Sequence, residues 1–178
     1  MELGDAAKIK GYPRSNVPIP LPSTISHAMH AAIGYGDSTA PGGIKYILIL
    51  VDRKSRYCWV YGLKGISVDD IKATFCKLKI EDGCLPKNLY TDFDKKIIKG
   101  SCKECLEQNE VRVVAAPSGR QRQNGLVERT WQTICNMGRA YFTNMRMAKC
   151  FWFWALCHAT QVHNYMPQKL NGNLTSSF

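Results

Sequence analysis

The spacing of apolar residues predicts three consecutive strands near the start of the chain. Apolar and small residues alternate over residues 27–35, with Met29, Ala31, Ile33 and Tyr35 on one face. Residues 44–51 are almost continuously apolar, as in a central strand covered on both sides. Residues 57–61 are aromatic and β-branched, which favours a third strand.

The period then changes to that of helices. Ser67 is a predicted N-cap, apolar residues follow it at helical spacing, and Gly83 ends this helix. Short strands are predicted over 88–91 and 111–115, and helices over 98–109, 124–145 and 149–165. Strands in succession, followed by strands alternating with helices, predict a mixed sheet covered by helices, an α/β fold.

The two ends of the chain differ from this body in composition. Residues 1–22 are proline-rich and predict a linker, 23–166 form the predicted folded core, and 167–178 are a polar tail. The longest apolar run is too short to cross a bilayer, and the first residues carry no apolar secretory segment. We therefore expect no membrane partner and an intracellular location, nuclear or cytoplasmic.

Charge is the first indication of a partner. The 178 residues suit one domain, and 24 Lys and Arg against 14 Asp and Glu give a net charge of +10. Such a domain attracts polyanions, of which nucleic acid is the commonest. A soluble domain that is basic for no functional reason is the alternative.

The eight cysteines predict thiols rather than disulfides, because they are scattered and mostly lie in apolar stretches. Cys102 and Cys105 form a CxxC motif, but no second pair accompanies them, so a four-ligand zinc site is not predicted. Both also fall on an apolar stripe at helical spacing, which leaves core packing as the alternative to metal binding.

Two acidic residues stand where chemistry is expected. Asp92 follows a predicted strand, at the edge of an α/β sheet where ligands bind, and Glu128 lies in the first turn of the long helix. Carboxylates on a strand end and a facing helix can share Mg²⁺ with phosphate oxygens. Each also has a structural explanation, a turn residue for Asp92 and a helix-dipole partner for Glu128.

Several segments resemble the integrase catalytic core of retroviruses and copia-like LTR retrotransposons. They are KYILILVDRKSRYCWVYGLK, LYTDFD, AAPSGRQRQNGLVERTWQTI and FWFWALCHATQVHNYMP. QNGLVER is the most specific, and the 35 residues between Asp92 and Glu128 match the spacing of that family. The resemblance implies an RNase H-like fold, a five-stranded mixed sheet flanked by helices. It also implies Asp92 and Glu128 as catalytic ligands of Mg²⁺ or Mn²⁺, with retroelement ends and target DNA as substrates.

One catalytic position departs from that family. Its first Asp corresponds to Ala32, in HAAIGYG, and a methyl group cannot coordinate a metal. His30 is expected on the same face of the strand, and Asp94 shares a motif with Asp92, so either is a conceivable substitute. Asp37 is expected to point elsewhere, beyond a Gly-Tyr-Gly turn. Asp52, in LVDRKSR, matches a family position that is not catalytic, and we interpret it as structural.

The family also carries a His/Cys zinc domain before this core. AKIKGYP resembles the sequence that follows that domain, yet the first cysteine of this chain is Cys58. The expectation is a linker that follows a missing zinc domain.

The predicted DNA contacts lie around the start of the long helix. They are Arg120, Gln121, Arg122, Gln123, Asn124 and Arg129. Such side chains bind phosphates, although a short basic loop can also be simply solvated. The aromatic run 151–154 indicates core packing or a homodimer interface more than base stacking.

The leading hypothesis is an integrase core that performs divalent-metal-dependent 3′-processing and strand transfer, impaired by Ala32. The alternative is a non-enzymatic DNA-binding or assembly module, from a domesticated or decayed copy. That alternative rests on the basic charge, the intact basic loop and the lost carboxylate, and it predicts DNA binding that falls steeply with salt.

Overall fold

A computed structural model describes residues 22, 24–83, 85–91, 100–115, 125–170 and 173–175. The strands are β1 (Ala28–Ala40), β2 (Ile44–Asp52), β3 (Cys58–Leu63), β4 (Asn88–Thr91), β5 (Arg112–Ala115), β6 (Gln168–Leu170) and β7 (Asn173–Thr175). The helices are α1 (Val68–Asp82), α2 (Ser101–Gln108), α3 (Gly125–Met145) and α4 (Trp152–Tyr165), the last preceded by a 3₁₀ turn at Lys149–Phe151.

Five strands form one mixed sheet in the order β3-β2-β1-β4-β5. The first three pair antiparallel, and β4 runs parallel to both β1 and β5. The β1–β4 pairing is short and joins Ala28–Ala31 to Asn88–Thr91. The predicted α/β fold with a five-stranded mixed sheet is confirmed.

The sheet is covered on both faces, as the unbroken apolar run of β2 requires. Residues Leu48 and Leu50 pack with α1 and α2 in one cluster, and Ile47, Ile49 and Val51 pack with α3 and α4 in the other. Alternate residues of β2 therefore point into two separate cores. This alternation determines which β1 side chains can face α3.

The ends of α1 are as predicted. The Ser67 hydroxyl accepts from Asp70 N–H, and the Asp70 carboxylate accepts from the Ser67 N–H in return, which completes a capping box. Gly83 ends the helix with φ +71°, a left-handed conformation that costs glycine little.

The expected Gly34-Tyr35-Gly36 turn is wrong, because β1 continues through it to Ala40. A Cβ at Gly34 would lie 2.8 Å from Trp131 Cζ2, and one at Gly36 only 2.2 Å from Trp152 Cε2. The glycines therefore permit close approach of two tryptophan rings to an extended strand, rather than a reversal of the chain.

The polar C-terminal segment contains two short strands. The strands β6 and β7 pair antiparallel, with Gln168 opposite Thr175 and Leu170 opposite Asn173. This two-stranded ribbon follows directly after α4.

Candidate active site

Ala32 lies in β1 and faces the helix that carries Glu128. It packs against the cluster that contains Val127 and Ile134 of α3, whereas its neighbour Ala31 is buried on the opposite face. Ala31 is paired with Thr91, the last residue of β4. Ala32 thus stands one residue beyond the β4 pairing, on the α3 side of the sheet.

Glu128 lies in the first turn of α3 and is exposed. The preceding residue, Val127, is fully buried in the cluster against which Ala32 packs, so the start of α3 is held against this part of the sheet. The Arg129 Nε–H donates to Gly125 O at 3.0 Å, and the side chain of Arg129 is also exposed. The Glu128 carboxylate is therefore accessible to a ligand from solvent.

The other predicted site residues lie outside the described part of the chain. They are Asp92, Arg120, Gln121, Arg122, Gln123 and Asn124, together with the substitute Asp94. Asp92 follows Thr91 directly in the sequence, and Thr91 is buried at the end of β4. Their roles stay predictions.

His30 and Asp37, which lie near Ala32 in the sequence, have different surroundings. His30 is buried, and its ring stacks on Tyr90 of β4 with centroids 5.0 Å apart. Asp37 is exposed and follows Gly36, whose α-carbon faces the Trp152 ring, so Asp37 points to the other side of the strand. Among the described residues, no three His, Cys, Asp or Glu side chains form a group that could hold a metal.

Asp52 is a structural residue, as predicted. Its buried carboxylate accepts from the Ser26 N–H at 2.9 Å, the Lys54 N–H at 3.0 Å, and both the N–H and the hydroxyl of Ser55 at 2.6 and 2.8 Å. The bonds from Lys54 and Ser55 fold the β2–β3 turn around this side chain, and the bond from Ser26 ties the residues before β1 to it.

Sequence reasoning missed two arginines in that turn, Arg53 and Arg56. Burial lowers the pKa of Arg56, and the nearby charges of Arg53 and Arg129 lower it further, while Asp52 opposes them. The pKa of Arg56 therefore depends in part on a charged residue of α3. The signal was present as the basic run Arg53-Lys54-Ser55-Arg56, but nothing local connects that run to a helix more than 70 residues later.

No family model matches the chain, but individual relatives do. Retrovirus-related Pol polyproteins from the Arabidopsis thaliana transposons RE2 and RE1 are 28% and 27% identical to it over 130 residues, or 71% of this chain. The counterpart from the Nicotiana tabacum transposon TNT 1-94 is 28% identical over the same length. The chain spans only 9–10% of the length of these relatives.

A solved structure gives the fold independently. A chain of the simian T-cell lymphotropic virus intasome, solved in complex with the PP2A regulatory subunit B56 gamma, superposes with a TM-score of 0.72. The alignment covers 93% of this chain and 56% of that chain at 17% identity. The chain is a relative of copia-like Pol polyproteins with the fold of an integrase core. The RNase H-like architecture implied by the sequence resemblance is confirmed.

The aromatic run of this integrase-like core divides between two environments. Trp152 and Phe153 pack into the cluster between the sheet and α3, which confirms core packing for these two. Phe151 and Trp154 are each 43% exposed, and their rings meet edge to face. The run thus supplies core residues and a small exposed aromatic pair.

The CxxC thiols of the integrase-like core lie on the face away from Glu128. Cys102 is buried in the cluster with Leu106 and Val111, and burial raises the pKa of its thiol. Cys105 is half-buried and lines a small cavity between α1 and α2. Core packing is confirmed for Cys102.

None of the helices in the described residues is both long and apolar enough to cross a membrane.

Proposed function

We propose that this chain is the catalytic core of a copia-like integrase, that it binds DNA, and that its chemistry is impaired by Ala32. The proposal rests on one observation above all. Ala32, which corresponds by sequence resemblance to the family's first catalytic Asp, packs against the buried cluster that includes Val127, the residue before Glu128. The site would therefore retain Asp92 and Glu128 and lack the third carboxylate.

The two carboxylates of Asp92 and Glu128 suit one divalent cation but not two. Mg²⁺ commonly takes only one or two protein carboxylates and keeps water or phosphate oxygens for its other positions. Asp92 and Glu128 would hold one Mg²⁺ or Mn²⁺, which would activate an attacking hydroxyl and stabilise the leaving oxygen of a phosphodiester. Without a carboxylate at position 32, a second ion has no ligand from β1.

The remaining residues would orient the nucleic acid. Arg129 stands beside Glu128, and the predicted loop contacts Arg120, Gln121, Arg122, Gln123 and Asn124 immediately precede α3 in the sequence. The charge of +10 favours duplex DNA as the polyanion. By analogy with the intasome neighbour, we include retroelement ends, target DNA and a second copy of the chain as partners.

Restoring the carboxylate tests the proposal directly. We expect Ala32→Asp to bind Mn²⁺ at least about tenfold more tightly than wild type in a calorimetric titration, since even outer-shell changes alter metal affinity that much. Glu128→Gln or Asp92→Asn in the Ala32→Asp background should abolish the gain. Glu107→Gln, an exposed acid on α2 at the other face of the sheet, should preserve it.

Two results would contradict the proposal. If neither wild type nor Ala32→Asp binds Mn²⁺, Asp92 and Glu128 do not converge and the metal site is wrong. If the wild-type chain joins DNA ends efficiently with Mg²⁺ and loses this activity on Asp92→Asn, the impairment is wrong.

The alternative, a non-enzymatic DNA-binding or assembly module, is supported by the same basic charge and the same Ala32. It predicts DNA binding that weakens steeply with salt in the wild type, and no joining activity even in Ala32→Asp. Restored strand transfer in that variant would favour the integrase origin.

A further inference from the structure

Strand β3 is an outer strand of the five-stranded sheet, with β2 as its neighbour on one side only. The Asp52 N–H donates to Tyr57 O at 2.9 Å, and in an antiparallel pair such bonded positions recur at every second residue. The odd-numbered residues of β3 therefore bond β2. The backbone N–H and C=O groups of the even-numbered residues, Cys58, Val60 and Gly62, point away from β2.

An amide side chain already occupies the first of these three outward positions. Asn164 of α4 accepts from the Cys58 N–H at 2.9 Å and donates to Cys58 O at 2.8 Å. Within the described residues, no group bonds the outward backbone groups of Val60 or Gly62 in the same way. Unpaired groups on the edge of a sheet are a template for a further strand.

Helix α4 runs along this edge on one face of the sheet. A Cβ at Gly62 would lie 2.8 Å from Phe153 Cζ, so the Phe153 ring lies against the end of β3, while Asn164 reaches its start. Cys157 stands one helical turn after Phe153 on the same side of α4 and is half-buried. A strand placed beside Val60 would carry every second side chain onto this face, near Cys157.

Residues 17–21, which precede the described part of the chain, have the sequence that such an edge accepts. Val17, Ile19 and Leu21 each have a backbone N–H, and they alternate with prolines at positions 18, 20 and 22, which have none. Alternate residues of a strand bond to opposite sides, so this segment can donate to a neighbour on one side only. A residue before proline is also restricted to extended backbone.

The segment enters the fold close to the start of β3. The Ser26 N–H donates to Asp52 Oδ1 at 2.9 Å, beside the β2–β3 turn. A strand beyond β3 lies two strand spacings from β2, which is about 10 Å. The chain from Leu21 to Ser26 can span about 17 Å, so it covers that distance. Because the segment runs toward the start of β3, it would lie antiparallel to β3.

We propose that residues 17–21 pair antiparallel with the outer edge of β3 and form a sixth strand of the sheet. Two successive apolar residues of the segment exchange hydrogen bonds with Val60 and Gly62, and their side chains lie on the α4 face near Cys157. The prolines then present no N–H to another chain, which closes the edge against further pairing. The net charge of +10 disfavours a second copy as the occupant. This inference goes beyond the proposed function, since it needs neither DNA nor metal.

Amide hydrogen exchange, measured by NMR on the full chain, tests the pairing. Ile19 belongs to any two successive members of Val17, Ile19 and Leu21, and Ile19→Pro removes its N–H and places a ring where the strands must approach. The N–H groups of Val60 and Gly62 should exchange at least about tenfold faster in Ile19→Pro than in wild type. Iodoacetamide should also modify Cys157 faster in this variant.

Two controls separate this effect from a general loosening of the protein. The Trp59 N–H, which points toward β2, should exchange equally slowly in wild type and Ile19→Pro. Ser15→Pro makes the same kind of change outside the proposed strand, and it should leave the exchange of Val60 and Gly62 within about twofold of wild type.

Equal exchange rates of Val60 and Gly62 in wild type and Ile19→Pro would overturn the proposal. Rates that are equally fast would show that the edge has no occupant. Rates that are equally slow, and that rise on dilution of the protein, would identify a second copy of the chain as the occupant instead.

Discussion

Among single residues, Asp52 has the most demanding position, because it is a fully buried acid that organises a turn. Four hydrogen bonds from Ser26, Lys54 and Ser55 compensate the cost of removing its carboxylate from water. In a neutral asparagine of the same shape, one accepting oxygen becomes an NH₂ group. That group would face backbone N–H donors and could not accept their hydrogen bonds.

We therefore expect Asp52→Asn to lower the free energy of unfolding by about 2–3 kcal/mol. Urea unfolding measures the change, and Asp69→Asn, at an exposed position in the first turn of α1, should cost less than about 1 kcal/mol. Equal losses in the two variants would show that the bonds to Asp52 contribute nothing particular to stability.

His163 makes stability depend on pH. Burial lowers its pKa below the ordinary value of 6.5, so the unfolded chain takes up a proton before the folded chain does. The stabilisation from a neutral buried His163 is complete above pH 6.5 and is lost as pH falls from 6.5 through the lowered pKa.

Unfolding free energies measured between pH 7.5 and 5 should thus fall more steeply for wild type than for His163→Gln. His158→Gln, at an exposed position on the same helix, should retain the wild-type slope. A His163→Gln curve parallel to wild type would contradict this assignment.

At the scale of elements, β1 is placed by two tryptophans. The Trp152 ring lies against Gly36, and its indole N–H donates to Ser38 O at 2.7 Å. Trp131 of α3 lies against Gly34 in the same way. The two helices on this face of the sheet, α3 and α4, therefore pack closely against β1 because Gly34 and Gly36 have no side chains.

Gly36→Ala should consequently lower the free energy of unfolding by about 1–3 kcal/mol, as overpacking does. The loss should shrink in a Trp152→Phe background, because the crowded atoms belong to the part of the indole that phenylalanine lacks. Gly125→Ala, where a Cβ meets nothing within 4 Å, should be neutral or slightly stabilising. An undiminished loss in the double variant would exclude the Trp152 contact as the cause.

Element boundaries also depend on side chains that replace backbone partners. Asn164 of α4 accepts from the Cys58 N–H at 2.9 Å and donates to Cys58 O at 2.8 Å, so an amide takes the place of a neighbouring strand at the start of β3. The contact joins residues 106 positions apart. No local pattern indicates it.

For the whole molecule, the reaction rates of the cysteine thiols measure how readily the helices separate from the sheet. Cys76 is exposed on α1, Cys58 is fully buried under α4, and burial raises the pKa of Cys157 to about 11. We expect iodoacetamide at pH 8 to modify Cys76 first and Cys157 more slowly. Cys58 should react only at the rate of global unfolding.

Mass spectrometry of timed samples measures each rate, and denaturation in urea should bring the three rates close together. Modification of Cys58 as fast as Cys76 in the native protein would mean that the layer formed by α4 opens independently of the rest.

The order of elements follows from local sequence because its signals are local. The continuous apolar run predicts a doubly covered β2, Ser67 and Gly83 delimit α1, and the apolar stripe of the long helix predicts α3 within one residue at its start. The end of β1 was predicted wrongly because its glycines make room for tryptophan rings that lie about 100 residues away in the sequence. The composition of Gly34-Tyr35-Gly36 alone favours a turn.

By itself, the sequence determined the α/β class and the family resemblance, and it led to the expectation that Ala32 replaces a carboxylate of that family. Each of these depends only on residue identity and short-range periodicity, which are properties of the chain before it folds. Only the tertiary structure decided that Ala32 lies on the α3 side of the sheet, and that the Asp52 carboxylate accepts hydrogen bonds from its own turn and from Ser26. These relations depend on the register between strands and on packing across the sheet, where residues far apart in sequence become neighbours.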